Sequence, residues 1–140
     1  MEGKKIIESF LKNWHEVIKE KDYNKLDKLI NKEIRFESPV VYKLKSDKVI
    51  VLHILQWILD MIKNFTYIQE FYNYEDLSLV LLFEGKICEK DTNRLIDIQG
   101  VDLIKLNKEG QVQELKVMIR PLNSILALKD EMGKRLAAKF

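Results

Sequence analysis

The sequence predicts an α+β fold: helices first, then a run of antiparallel strands, then one closing helix. Three observations carry this expectation. Apolar residues recur every three to four positions near the amino terminus, they alternate every second position between roughly residues 66 and 119, and the turns joining the alternating segments are too short to hold a crossover helix. A chain of 140 residues, 46% hydrophobic with five Gly and two Pro, has the composition of one compact domain, 1–140, and no Pro/Gly/Ser-rich stretch or repeat divides it.

The elements follow in order. From Lys4 to Lys21, Ile6, Ile7, Phe10, Leu11, Trp14, Val17 and Ile18 recur at spacings of three and four and form one face of an amphipathic helix. Asp22 restarts a shorter helix carrying Leu26, Leu29 and Ile30. Ile34, Phe36 and Ser38 alternate with Arg35 and Glu37 as a short strand, which Pro39 ends because it has no N–H to donate. A strand pair or bent segment is expected through Val40 to Leu44. Ser46 or Asp47 caps the next helix, apolar on most of its circumference and running to about Asn64, with His53, Gln56, Asp60 and Lys63 in a narrow polar stripe. Four β-rich segments then span Thr66 to Tyr74, Leu77 to Cys88, Leu95 to Leu106 and Gln111 to Ile119, and a helix from about Ser124 to Lys139 closes the chain.

Charge and cysteine content exclude several classes of function. Lys and Arg number 24 against 22 Asp and Glu, a formal net charge of +2, with no long block of one sign. Only four of the cations are Arg, the residue that suits phosphate and base-edge recognition, so nucleic acid is not the expected partner. The longest run without formal charge, Val49 to Leu59, is far short of the roughly 20 apolar residues that span a bilayer, and the amino terminus lacks a signal-peptide pattern. Cys88 is alone and cannot form an intramolecular disulfide, which fits a reduced cytoplasm. There is no Gly-rich phosphate loop. His15 and His53 have no metal-ligand spacing with other donors, so neither a cofactor nor a metal is expected. His15, beside Trp14 at the edge of an apolar face, reads as packing or surface. The aromatic residues Phe65, Tyr67, Phe71, Tyr72 and Tyr74 read as sheet core or interface.

Strand parity singles out one residue. From Leu95 to Leu106 one face carries Ile96, Ile98, Gly100, Ile104 and Leu106, and among them Asp102. If the turn pairs Leu106 with Gln111, Asp102 lies opposite Leu115. The other face then sets Asp97 against Arg120 and Val101 against Lys116. An ionised carboxylate costs several kcal/mol to bury without a partner, so it tends to raise its pKa and keep its proton. A neutral Asp donates a hydrogen bond to a developing oxyanion or serves as acid or base near neutral pH. Two other placements stay open: a β-bulge at Gly100 that turns Asp102 outward, or a Lys, Tyr or backbone N–H that satisfies it structurally.

The early helix ending at Lys21-Asp22, the segment Phe36-Glu37-Ser38-Pro39 and the stretch Gly100 to Asn107 followed by Gly110 resemble the nuclear transport factor 2-like superfamily, which includes ketosteroid isomerases and SnoaL-like polyketide cyclases. The run Met118 to Leu122, with Leu126, Met132 and Leu136 beyond it, is similar to SnoaL-like bacterial proteins with an extra carboxyl-terminal helix. The resemblance implies a cone-shaped, cystatin-like architecture, with a strongly bent antiparallel sheet around the helices and a deep, mostly apolar pocket. Asp102 matches the isomerase position whose protonated carboxyl helps form the oxyanion hole, an enzyme that is a standard example of a neutral aspartic acid. Ser38 stands where the isomerase has its Asp general base, and Trp14 roughly where it has an oxyanion-hole Tyr, so steroid isomerisation is not the expected reaction. The resemblance also implies a homodimer through the outer sheet face, near Val101, Leu103 and Met118.

The expected ligand is a small apolar molecule bearing a carbonyl or hydroxyl group. Asp102 is the candidate acid or oxyanion donor, and Trp14, Phe36, Ser38, His53, Trp57 and Leu115 are the expected pocket. Isomerase, cyclase or lyase chemistry is one reading; a non-catalytic ligand-binding or dimeric interaction module is the other.

Overall fold

The computed structural model describes residues 2–40, 46–89 and 92–139. The segment expected at Val40 to Leu44 lies, beyond Val40, outside them. Helix α1 (Glu2–Glu20) buries Ile7, Phe10, Trp14 and Val17, the stripe its spacing specifies. Asp22 caps α2 (Tyr23–Leu29) by accepting the Lys25 N–H at 3.1 Å. Ile30 does not extend this helix as expected. Its backbone turns extended and it opens strand β1 (Ile30–Glu37), where its side chain is fully buried. Asp47 caps α3 (Lys48–Met61) by accepting the N–H groups of Val49 and Ile50. The helix ends three residues before Asn64 because Ile62 is already extended, leading into β2 (Lys63–Asn73). Strands β3 (Ser78–Cys88), β4 (Leu95–Leu106) and β5 (Val112–Arg120) and helix α4 (Leu122–Lys139) complete the order.

The five strands form one curved sheet in the order β1-β5-β4-β3-β2, an α+β fold. Strands β2 to β5 are antiparallel neighbours joined by turns, as expected, but β1 pairs parallel to β5 and makes the sheet mixed. Three strands and α3 separate these two in sequence, so no tight turn dictates their relative direction.

The alternation in β4 holds throughout: Ile96, Ile98, Gly100, Asp102, Ile104 and Leu106 are all buried. Register from Ser78↔Lys105 to Cys88↔Leu95 is unbroken, so Gly100 marks no bulge. Its lack of a side chain has another cause. A Cβ there would lie 2.5 Å from Phe83 Cζ and 2.6 Å from the Met118 carbonyl oxygen, so the Phe83 ring occupies that space.

The β4/β5 pairing differs from the one expected from the turn. Leu106 faces Val112, and an irregularity next to it brings Ile104 opposite Leu115 and Asp102 opposite Val117. On the outer face Gln99 rather than Asp97 faces Arg120, and Val101 faces Met118 rather than Lys116. The total slip is two residues, which preserves parity and leaves Asp102 on the inner face.

Candidate functional site

Asp102 is 7% exposed and lines a narrow cavity between the helices and the concave face of the sheet. Trp14 and Ile18 of α1, Leu26 of α2 and Leu55, Ile58 and Leu59 of α3 form its helical wall; Leu115 and Val117 of β5 and the aromatic rings of Phe65, Tyr67 and Phe83 form the sheet side. The free space is about 30 Å³, room for one or two water molecules.

The cavity's polar centre is a chain of three side chains from three elements. The Trp14 indole N–H donates to the Tyr67 hydroxyl at 2.9 Å, and that hydroxyl donates to Asp102 Oδ2 at 2.6 Å. Among the described residues the second carboxyl oxygen, Oδ1, has no hydrogen-bond partner, and it is not among the fully enclosed polar atoms. Burial pushes the Asp102 carboxyl up to about 7, and the Tyr67 hydrogen bond opposes that rise only in part. Burial also raises the Tyr67 hydroxyl well above its ordinary value, as does the adjacent Asp102 carboxyl group. Tyr67 therefore stays protonated while Asp102 exchanges its proton near neutral pH. With Oδ2 accepting from Tyr67, the proton of neutral Asp102 belongs on Oδ1, where it is free to be donated.

Trp14 and Leu115 of the expected pocket line this cavity, and four other residues lie elsewhere. Phe36 is fully buried but pairs in register with Leu115 and fills the core beside it. Ser38 lies just past the end of β1, where its hydroxyl accepts the Val40 N–H at 3.2 Å in a local turn. His53 and Trp57 share the less buried face of α3. His53 Nδ1 is 2.8 Å from the Val49 carbonyl oxygen one turn back, and its ring packs against Trp57 with centroids 5.7 Å apart. A helix that is apolar almost all round does not reveal which of its faces meets the sheet.

The sequence pattern assigns Tyr67 to the sheet core or an interface and does not reveal its role beside Asp102. The available signal was its spacing of two from Phe65, which puts both rings on one face of β2. That it stands in register with Phe83, beside Asp102 on the next strand but one, depends on pairing that no local pattern encodes. His15 extends the polar surroundings: its Nε2 lies 2.8 Å from Glu70 Oε2, and its ring meets Tyr67 edge-on at 5.7 Å. Among the described residues no cluster of His, Cys, Asp and Glu has the arrangement of a metal site, and no helix is long and apolar enough to cross a membrane.

A curved sheet closed over by helices is a class of structure shared with several solved proteins. A steroid delta-isomerase from Pseudomonas aeruginosa matches with a TM-score of 0.83 at 28% identity, over 95% of this chain and 93% of that one. A bacterial protein with a cystatin-like fold from Silicibacter pomeroyi matches with a TM-score of 0.81 at 27% identity, over 93% and 86% of the two chains. A SnoaL-like polyketide cyclase from Shewanella denitrificans has the same fold, with a TM-score of 0.63 at 15% identity over 92% and 98%. No family model matches the sequence, and no curated protein does. Isomerases, a SnoaL-like cyclase and a cystatin-like fold protein are thus among the structural neighbours of this chain, whose fold is similar to that of nuclear transport factor 2-like proteins.

Proposed function

We propose that the chain binds a small, largely apolar carbonyl or hydroxyl compound at Asp102 and carries out isomerase, cyclase or lyase-type chemistry on it. The observation that carries this reading is the unpaired Asp102 Oδ1 in an otherwise apolar wall, on a carboxyl that burial pushes up to about 7. Neutral Asp102 donates its Oδ1 proton to the ligand oxygen, and Tyr67, held by Trp14, steadies the carboxylate left behind through Oδ2. A group that titrates near 7 both gives and retakes a proton at neutral pH, so one residue can serve both half-reactions.

The apolar wall supplies binding by surface burial, at about 25 cal/mol per Å² of apolar area removed from water. A free space of about 30 Å³ means that binding a molecule of several heavy atoms separates part of the wall. A soluble protein of the reducing cytoplasm suits the one exposed cysteine.

A second reading, a ligand carrier without catalysis, is favoured by one observation: Ser38, which stands where the isomerases have their general base, is held in a local turn and absent from the described cavity lining. A screen of small cyclic ketones and alcohols by ligand-observed NMR, followed by incubation and product analysis, separates the two. The catalytic reading expects a chemical change that Asp102→Asn abolishes; binding without chemical change selects the carrier. If no such compound binds, or if Asp102→Asn leaves both binding and turnover unchanged, the assignment of the site fails.

The outer sheet face supports a homodimer. Leu82, Val101 and Met118 stand in one cross-strand row, with Phe71, Val80 and Leu103 in the next. Of these, Phe71 and Met118 are about half exposed, at 54% and 51%. A second copy would cover them.

A further inference from the structure

A cavity that holds only one or two water molecules needs an entrance. Nine of the twelve residues lining it are buried, and the three least buried are Ile18 on α1 and Phe65 and Tyr67 on β2. The least buried part of its lining therefore lies on α1 and on β2, an edge strand of the sheet. Two polar links from adjacent helix residues close this seam: Trp14 to Tyr67, and His15 to Glu70.

We infer that ligand enters through the seam between α1 and β2, and that the His15–Glu70 pair is the latch holding Trp14 down on Tyr67. The pair is suited to opening. The His15 side chain is 44% exposed, and the His15 contact at 2.8 Å is the only polar contact of Glu70 Oε2 among the described residues. That contact is close without being a hydrogen bond, which leaves the buried Oε2 unsatisfied. Glu70 is also tethered through Oε1, which accepts the Tyr72 hydroxyl at 3.3 Å. Elsewhere the wall is made by the β3/β4 and β4/β5 strand ladders on one side and by apolar side chains of α3 on the other.

Opening the seam breaks the Trp14–Tyr67 hydrogen bond, so the motion that admits a ligand also releases the donor end of the chain leading to Asp102. His15 and Glu70 are positioning residues: they act through Trp14 and touch neither Asp102 nor the free space. This inference rests on the cavity being the ligand site, but its test needs no ligand.

Replacing Trp57 by Phe leaves Trp14 as the sole tryptophan, and quenching of its fluorescence by acrylamide then reports how often the seam opens. His15→Ala and Glu70→Ala in that background are each expected to raise the quenching constant by about threefold, the scale set by losing a partly exposed polar side-chain pair. Tyr23→Phe is the control, because it cuts a comparable link, Tyr23 to Asp60 at 2.9 Å, between α2 and α3, and should leave quenching unchanged. Unchanged quenching in His15→Ala, or an equal rise in Tyr23→Phe, overturns the latch. Should Glu70→Ala fail to fold, His15→Ala at its exposed position still decides. A latch response together with an empty ketone and alcohol screen keeps the entrance and removes the functional reading instead.

Discussion

Replacing Asp102 by Asn tests whether the carboxyl is held neutral by its surroundings. In the folded chain burial pushes this group from 3.8 up to about 7, whereas in the unfolded chain water restores the ordinary value. The folded state then holds a proton that the unfolded state has released, so stability falls as pH rises between those two values and levels off above the higher one. At about 1.4 kcal/mol per pH unit the whole effect is about 4 kcal/mol, of which about 3 kcal/mol falls between about pH 5 and about pH 8. That is a large share of the roughly 5–15 kcal/mol that holds a domain folded.

The asparagine side chain has the same shape as the aspartate it replaces, and its carbonyl oxygen can accept the Tyr67 hydroxyl, but it does not titrate. Urea unfolding of both proteins, followed by tryptophan fluorescence, gives their stability difference at each pH, and the titrations they share cancel. The variant is expected to gain on the wild type by about 3 kcal/mol between about pH 5 and about pH 8. A difference that stays flat across that range would mean that Asp102 ionises normally in the fold, and the acid role would lose its physical basis.

Further tests bear on the surroundings of that carboxyl. Tyr67→Phe removes Asp102's hydrogen-bond donor and leaves the Trp14 N–H without its acceptor; a loss of about 1–3 kcal/mol in denaturant unfolding is expected, and carboxyl-carbon NMR should show Asp102 titrating above about 7. Gly100→Ala drives a methyl group against the Phe83 ring and the Met118 carbonyl, so it should cost about 1–3 kcal/mol by overpacking, and a neutral result in the same assay would contradict the packing described. Ser38→Ala should cost no more than about 1 kcal/mol, the value of one turn hydrogen bond, and leave the pH dependence of stability intact. For the dimer, light scattering on Met118→Asp should give a monomer where the wild type gives twice its mass; a monomeric wild type at micromolar concentration would remove the proposal.

Local pattern was enough to place most elements and the central residue. The spacing of Ile7, Phe10, Trp14 and Val17 defines the buried face of α1, Asp22 and Asp47 cap the helices they precede, and the period of two in β4 puts Asp102 inside. These features depend on residues within one turn or one strand, where side-chain direction follows from backbone geometry alone. The alternation also survived an incorrect register, because a slip of two residues returns every side chain to its own face.

Tertiary structure decided what surrounds the carboxyl. Tyr67 reaches Asp102 from 35 positions away, and Trp14 reaches Tyr67 from 53, through strand pairing and helix docking that no single segment specifies. The same docking left Phe36, Ser38, His53 and Trp57 out of the described cavity lining and set its free space at about 30 Å³. By itself the sequence pointed to an acid among aliphatic side chains, because parity is local, and the unbroken β3/β4 register removed the bulge that would have turned it outward. Which hydroxyl it meets, how much room stands beside it and where that room comes nearest to solvent are set by contacts distant in the chain, and these exist only once the helices close over the sheet.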